Sequence, residues 1–405
     1  MPLLLRPSSR LRTAAVLCAL TALPVQATAA AAPKEPEFGV VTLGDGFIAG
    51  EGARWAGNAT GLKNNGGIPK ELRDRTDRVR TTGSTADQIY TPRDLLSDGK
   101  SPGCHRSDLA GIAVDSKDAP LALHNLACSG ATTQDVLSGQ FKEETPQLQR
   151  LKALAKKGSI KVVVISVGGN DVKYTQTMKA CAEAWKHSKY CSTDTALTRP
   201  LNDSVEAVGD RVFKLVRKVQ DVFRDSGTPP RVILQSYPMP LASGEPATTP
   251  QHDENSWDRW STYGCPLYNK DLRWLSQEVG PAVTLGLKQA ARKAGADFVD
   301  LTHLLDGHEV CAKGALQTDY APKGGVFEPT AAKAEWARYL PRTKNTLPAT
   351  EEQELLHLNA YGQRALRTCL SAVVSKLGSH AQGSAAQCRG AAGQSPDKIT
   401  VRYTA

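Results

Sequence analysis

Four short polar blocks carry the side chains that could perform chemistry. They are Gly44-Asp45-Gly46, Cys128-Ser129-Gly130, Gly169-Asn170-Asp171 and Glu354-Leu355-Leu356-His357. An imidazole, a side-chain amide and a backbone N–H beside a glycine are the groups that acyl transfer uses as base and as oxyanion donors. The same reaction needs an oxygen nucleophile, and Gly46, where the first block ends, has no side chain.

The elements that would position these blocks follow from the hydrophobic pattern. Apolar runs predict strands at 39–43, 121–126, 161–167, 231–236 and 297–300, and amphipathic runs predict helices at 145–157, 203–225, 267–294 and 359–377. Two of the strands are almost wholly apolar, as is typical of a parallel sheet covered on both faces. We therefore expect a three-layer α/β/α sandwich with a central parallel sheet of the flavodoxin-like type, and chemistry at the carboxyl ends of its strands.

Three segments rich in Gly, Pro, Ser and Thr interrupt this alternation, at 54–100, 172–200 and 238–265. We expect them to be loop-like insertions. The second and third, the latter with Trp257, Trp260 and Tyr263, are expected to wall the ligand site, where aromatic rings suit an acyl chain or a sugar face.

The first 30 residues have the features of an export signal. Arg6, Arg10 and Arg12 precede a short apolar core at 13–25, and Ala27-Thr28-Ala29 offers a small-residue cleavage site. The apolar core is shorter than the ~20 residues that a membrane span needs. We expect residues 1–30 to be a signal peptide and residues 31–405 to be a single domain, secreted and without a membrane segment.

Eight cysteines remain after the signal peptide, and an even count in an exported chain indicates disulfides. Eight cysteines allow 105 pairings. Nearest-neighbour pairing is the economical expectation: Cys104–Cys128, Cys181–Cys191, Cys265–Cys311 and Cys369–Cys388. A metal site is disfavoured because no Cys-x-x-Cys occurs and histidines do not stand at ligand spacing, so we expect neither metal nor cofactor.

The charge of the chain is mildly basic. Its formal net charge of +9 falls to +6 when the three arginines of residues 1–30 are removed. Basic residues are not gathered into a run with interleaved aromatics, which disfavours nucleic acid as a partner. We expect a monomer that takes a small-molecule, acyl or glycan ligand.

The four blocks, in this order, resemble the motifs of the SGNH or GDSL-type hydrolases, and most of all their secreted, disulfide-bonded esterase and lipase branch. Arg54-Trp55 and the segments 104–107 and 125–133 resemble companion motifs of that branch. The resemblance implies an SGNH hydrolase-like fold. It also implies that Gly130 and Asn170 donate to the oxyanion, that His357 is the general base, and that Asp45 precedes the nucleophile position.

Two assignments depart from the family pattern. Gly46 stands where the family has its nucleophilic serine. Glu354 stands where aspartate usually orients the histidine, a task that a backbone carbonyl performs in some members. We expect Gly46, Gly130, Asn170 and His357 to converge at the carboxyl edge of the sheet, with His357 pointing at an empty space over Gly46.

Three other serines are weighed as replacement nucleophiles. Ser129 is expected to point away because Gly130 beside it must face the oxyanion. Ser166 lies inside a buried strand, and Ser97 belongs to a polar turn, Ser97-Asp98-Gly99-Lys100. All three are disfavoured.

Three functions therefore stay open. The preferred expectation is a secreted SGNH hydrolase-like pseudoenzyme, a ligand-binding esterase homologue without turnover. The first alternative is an enzyme with altered chemistry, in which His357 acts on a bound water or a substrate hydroxyl in place of serine. The second is residual hydrolysis of esters or lipids.

Overall fold

The computed structural model describes residues 39–53, 103–107, 109–112, 122–157, 160–245, 253–261, 264–316, 331–338 and 353–404. The signal peptide expected at 1–30, the companion pair Arg54-Trp55, Ser97 and Tyr263 lie outside these residues. Pro36–Ala405 form one compact unit. In the described part of the chain, no helix combines the length and the apolar character that crossing a bilayer requires.

A seven-stranded sheet forms the centre of the fold. Its strands are β1 (Gly39–Gly44), β2 (Ala122–Asn125), β3 (Ile160–Ser166), β4 (Arg231–Gln235), β5 (Asp297–Asp300), β6 (Ala385–Arg389) and β7 (Thr400–Thr404). They follow the order β2-β1-β3-β4-β5-β6-β7. The first six are parallel, and β7 runs antiparallel to β6 at one edge. The expected α/β class with a central, mostly parallel sheet is confirmed.

The apolar runs that predict strands β1 and β3 lie in the middle of the core. Every residue of β1 is buried, and β3 is buried at all but one position. In this pair Gly44 lies opposite Ser166, so the two strands end at the same level. That common end is where the polar blocks begin.

Nine α-helical segments are found in the described residues. They are α1 (Gly46–Ala49), α2 (Thr133–Leu137), α3 (Gln147–Ala155), α4 (Tyr174–Lys186), α5 (Thr195–Asp221), α6 (Asp258–Ser261), α7 (Asn269–Arg273), α8 (Gly280–Ala294) and α9 (Ala360–Val374). A π-helical turn, Trp274–Val279, joins α7 to α8. Helices α5 and α8 pack on one another closely, because a Cβ on Gly209 would lie only 3.0 Å from the carbonyl oxygen of Gly286.

The expectation of a loop at 172–200 is wrong, since that segment holds α4 and the beginning of α5. The buried residues of α4 are Tyr174, Thr177, Met178, Cys181, Ala182 and Trp185. This is the spacing of a helix with one apolar face. Asp194 caps α5 by accepting from the N–H of Ala196. The helix therefore begins at Thr195, eight residues before the predicted start at 203, and continues through Pro200.

Four disulfides tie the described segments together. They join Cys104 to Cys128, Cys181 to Cys191, Cys265 to Cys311 and Cys369 to Cys388, which are the nearest-neighbour pairs. The first one links the segment 103–107 to the loop after β2. It therefore fixes the loop that carries Ser129 and Gly130.

Candidate active site

The first block begins where β1 ends, at a position that only a glycine can occupy. A Cβ on this glycine would lie 1.7 Å from the carbonyl oxygen of Ser166, and its φ is +134°. Asp45 donates its backbone N–H to that same oxygen at 2.9 Å. Its side chain accepts from the N–H of Phe47 at 3.2 Å and caps α1, so Gly46 is the first residue of a buried helical turn.

His357 lies directly over Gly46. A Cβ built on Gly46 would stand 2.6 Å from His357 Nε2. The other ring nitrogen, Nδ1, lies 3.2 Å from the carbonyl oxygen of Leu355. With the proton on Nδ1 donated to this carbonyl, Nε2 presents its lone pair to residue 46, as a general base requires.

The chain reaches this arrangement through a strained backbone and a short pairing. Leu356, just before the histidine, has a φ of +63°, which a residue with a Cβ rarely adopts. The backbone of Arg338 holds Leu356 and His357 in place. Its carbonyl accepts from Leu356 N at 3.0 Å, and its N–H donates to His357 O at 2.8 Å. Asn359 then caps α9.

Burial sets the charge state of His357. Desolvation lowers its pKa below the usual 6.5, although the charge of Glu51, the Leu355 carbonyl and the charge of Glu354 act in the opposite direction. The imidazole is therefore neutral at neutral pH. Glu354 acts on it through charge, and the backbone carbonyl of Leu355 accepts the Nδ1 hydrogen bond.

The space over Gly46 is filled, so the expectation that His357 faces an empty space is wrong. Besides His357 Nε2, the hydroxyl oxygen of Ser129 lies 2.7 Å from the position of a Gly46 Cβ. The expectation that Ser129 points away is therefore wrong as well. Its side chain turns toward residue 46 because a glycine leaves room that any other residue would occupy.

Gly130 and Asn170 lie on adjoining loops of the same edge. Asn170 Nδ2 donates to the carbonyl oxygen of Ala131 at 3.1 Å, which ties the third block to the second. Asp171 reinforces this link by accepting from the hydroxyl and the N–H of Thr133 at 2.6 and 2.9 Å. Gly130 has a φ of +87° and is exposed, and within the described ranges no acceptor takes its N–H.

Two groups next to the site were missed in the sequence. Glu51 is fully buried and accepts from His105 Nδ1 at 2.8 and 3.0 Å and from Gln353 at 2.8 Å. Burial alone would raise the pKa of Glu51, but His105, the charge of His357 and the nearby Ser129 hydroxyl lower it to about 2. The carboxylate is therefore ionised close to the base.

Tyr237 is the second missed group. Its hydroxyl donates to Asp45 and accepts from the N–H of Gly169 at 2.9 Å, which connects the first and third blocks. Burial raises the pKa of Asp45 to about 7 despite this hydrogen bond. The ring of Phe47 packs between Tyr237 and His357, with centroid distances of 5.1 and 4.7 Å.

Trp257 and Trp260, expected to wall the site, belong to an aromatic cluster with Trp185 and Tyr268. Their ring centroids lie 4.8 Å apart, and each lies within 6.5 Å of the Trp185 ring. Trp260 is buried and Trp257 is half exposed. Both rings contact this cluster, and their expected role in ligand binding stays a prediction.

Comparisons with known proteins identify the family of the chain. Residues 96–365 match the model of the GDSL-like lipase/acylhydrolase family. This stretch includes Ser129, Asn170 and His357 and begins after Gly46. No curated protein matches the chain.

The chain is similar to two solved bacterial structures. Phospholipase A1 from Streptomyces albidoflavus NA297 shares 18% sequence identity and a TM-score of 0.47, over 85% of this chain and 99% of that chain. The extracellular lipase from Streptomyces rimosus shares 17% identity and a TM-score of 0.46, over 80% and 94%. With the family model matching well over half of its length, the chain belongs to the GDSL-like lipase/acylhydrolase family.

Proposed function

We propose that this protein hydrolyses a small acyl ester with His357 as its base and without a nucleophile at position 46. The observation that supports this proposal is the placement of His357 Nε2, 2.6 Å from where a Gly46 side chain would begin. The Nδ1 bond to Leu355 O and the strained Leu356 backbone both hold the His357 ring in this direction.

The surroundings of the base suit acyl transfer. The exposed Gly130 N–H and the Asn170 amide lie on adjoining loops as candidate donors to an oxyanion. The charged Glu51 carboxylate would stabilise the imidazolium that forms when His357 takes a proton. Within the ligand classes expected from the sequence, these groups favour an acyl ester.

Export and a monomeric state belong to the same proposal. The basic and apolar pattern of residues 1–30 supports a signal peptide, followed by a single domain over 31–405. Four disulfides suit an oxidising compartment.

The test is hydrolysis of 4-nitrophenyl acetate by the oxidised mature chain, compared with its His357→Ala variant. We expect slow turnover by the native protein and a loss of about 10³-fold on removal of the base. Since the pKa of His357 lies below 6.5, the rate should stay at its plateau when the pH falls toward that value. Equal rates for the native protein and the variant would refute the proposal.

A pseudoenzyme is the second candidate, and the absence of a side chain at Gly46 is the observation that favours it. Under this alternative the native protein binds esters, measured by calorimetry, but does not hydrolyse them. Turnover should then appear when the family serine is restored. Because a Cβ at position 46 would lie 2.7 Å from Ser129 Oγ, the variant to use is Gly46→Ser combined with Ser129→Ala.

A further inference from the structure

We infer that Ser129 is the nucleophile of this site, taking the place of the serine that position 46 lacks. Its hydroxyl oxygen and His357 Nε2 both lie within 2.7 Å of one point, the position of a Gly46 Cβ. The inference rests on the proposed ester hydrolysis through His357, and it assigns to a named side chain the hydroxyl that this base would activate.

The hydroxyl of Ser129 is held in the core close to both His357 and Glu51. The residue is fully buried, and its oxygen lies outside hydrogen-bond geometry with the described residues. It is near enough to the Glu51 carboxylate to help lower the pKa of Glu51. A buried hydroxyl without a hydrogen bond costs about 1–3 kcal/mol, so a rotation that brings Ser129 Oγ to the lone pair of His357 Nε2 would be favourable.

The backbone that carries Ser129 is held firmly. Cys128 is bonded to Cys104, and its N–H donates to Gly44 O at 3.0 Å. Ser129 N donates to Cys104 O, also at 3.0 Å. Rotation about χ1 is therefore the motion that brings the hydroxyl toward His357 Nε2, and such contacts are commonly long before substrate binds.

Ser129 also has a donor for the oxyanion beside it. The next residue in the chain is Gly130, whose N–H has no acceptor among the described residues. Serine hydrolases of other folds use the N–H of the residue after the nucleophile in this role. Gly130 is exposed while Ser129 is buried, so a slim acyl group entering over Gly130 is the substrate that can reach the hydroxyl.

In this reaction His357 carries every proton that is transferred. Ser129 Oγ bonds to the ester carbonyl carbon while its proton moves to His357 Nε2. The carbon–oxygen bond to the alcohol breaks, and the alcohol leaves with that proton. Water then attacks the acyl–Ser129 ester, gives one proton to His357, and releases the carboxylic acid as Ser129 Oγ regains a proton.

Ser166 provides a matched control. It is also fully buried, and its hydroxyl is also without a hydrogen bond, but it is the last residue of β3 and lies opposite Gly44. A Ser166→Ala variant therefore removes the same atom from the core without touching the proposed nucleophile. Differences between the two variants report on Ser129 itself.

The experiment combines 4-nitrophenyl acetate hydrolysis with labelling by a fluorophosphonate, followed by peptide mass spectrometry. The reagent forms a phosphorus–oxygen bond to a nucleophilic serine and releases fluoride. We expect the label on Ser129, no label in Ser129→Ala or His357→Ala, and a loss of hydrolysis of about 10²–10³-fold in Ser129→Ala. Ser166→Ala should keep both the label and the rate.

The outcomes separate this inference from the proposed function. Hydrolysis that needs His357 but survives Ser129→Ala, with no label on Ser129, would overturn the inference and leave direct attack by water. A label on another serine would overturn it too. If the native protein neither hydrolyses the ester nor takes the label, the inference and the proposed hydrolysis fail together.

Discussion

Two buried histidines, His357 and His308, lie in different regions and are held in opposite ways. His308 stacks on Trp336 with a centroid distance of 3.7 Å, and both its ring nitrogens face backbone carbonyls, those of Ala334 and Ala391, at 2.8 and 3.1 Å. His357 gives one nitrogen to Leu355 O and directs the other at residue 46. One nitrogen of His357 is left to face the Ser129 hydroxyl, whereas both nitrogens of His308 are enclosed by the backbone, where the single N–H of a neutral imidazole donates to one of the two carbonyls.

Burial does not distinguish the two regions. Desolvation lowers the pKa of both imidazoles. The lowered pKa is therefore common to both histidines, and the direction of the second nitrogen is what separates them.

Replacing each of the two histidines with alanine should produce the largest difference, which is a difference in unfolding free energy. His308→Ala removes a stacked ring and two carbonyl contacts, and we expect it to cost about 2–4 kcal/mol of unfolding free energy. His357→Ala should cost less, about 1–2 kcal/mol, because it breaks one hydrogen bond to a carbonyl and one ring contact with Phe47. Urea unfolding measures both.

The rates of ester hydrolysis of the same two variants should differ in the opposite direction. Folded His308→Ala should retain its rate, whereas His357→Ala loses it. If His357→Ala instead proved the more destabilising of the two, His357 would be a structural residue and the contrast between the regions would be broken.

The buried histidines and Asp45 should change the stability of the fold in opposite directions as the pH changes. A histidine with a lowered pKa stabilises the fold above pH 6.5, and that contribution is lost as the pH falls further. Asp45, whose pKa burial raises from 3.8 to about 7, stabilises the fold most at acid pH and loses that contribution as the pH rises through about 7. Asp45→Asn, which keeps the helix cap, should remove a decline of about 2 kcal/mol between about pH 5 and 7.

Glu309 is the control for this measurement, because burial also raises its pKa to about 7. Unfolding of Asp45→Asn and Glu309→Gln, followed at several pH values, should each remove a separate part of the decline. An Asp45→Asn protein with the native pH profile would show that Asp45 titrates normally.

A methyl group at position 46 should give the smallest effect and should touch only one of the two histidines. Gly46→Ala places a Cβ 2.6 Å from His357 Nε2 and 2.7 Å from Ser129 Oγ, so both side chains must shift. We expect hydrolysis to fall about tenfold, a change of about 1.4 kcal/mol. Gly227→Ala is the matched control, since a Cβ there meets nothing within 4 Å.

Much of the fold could be predicted from the sequence because apolar strands and amphipathic helices carry strong periodic signals. Strands β6 and β7 were missed because they lack an apolar run. Strand β6 contains Gln387 and Arg389, and β7 alternates between exposed and half-buried residues at the sheet edge. The helix α4 was missed although its apolar face follows helical spacing, because the polar residues around it dominated the interpretation.

The candidate site divides in the same way. Gly46 and His357 could be found from motif order alone. The direction of Ser129 could not, because a side-chain rotamer depends on the space that its neighbours leave. Glu51 and His105 are 54 residues apart, and Asp45 and Tyr237 are 192 apart, so their pairing appears only in three dimensions.

The disulfide between Cys104 and Cys128 determines at which stage in the life of the chain the site is fully assembled. Cysteines remain thiols in a reducing cytosol, where a newly made chain would carry Ser129 on a loop that is not yet tied to the segment 103–107. Oxidation after export would fasten that loop and bring the hydroxyl to its place under His357. If the chain is exported and hydrolyses esters as proposed, this order would keep it inert toward the esters of the cell that makes it.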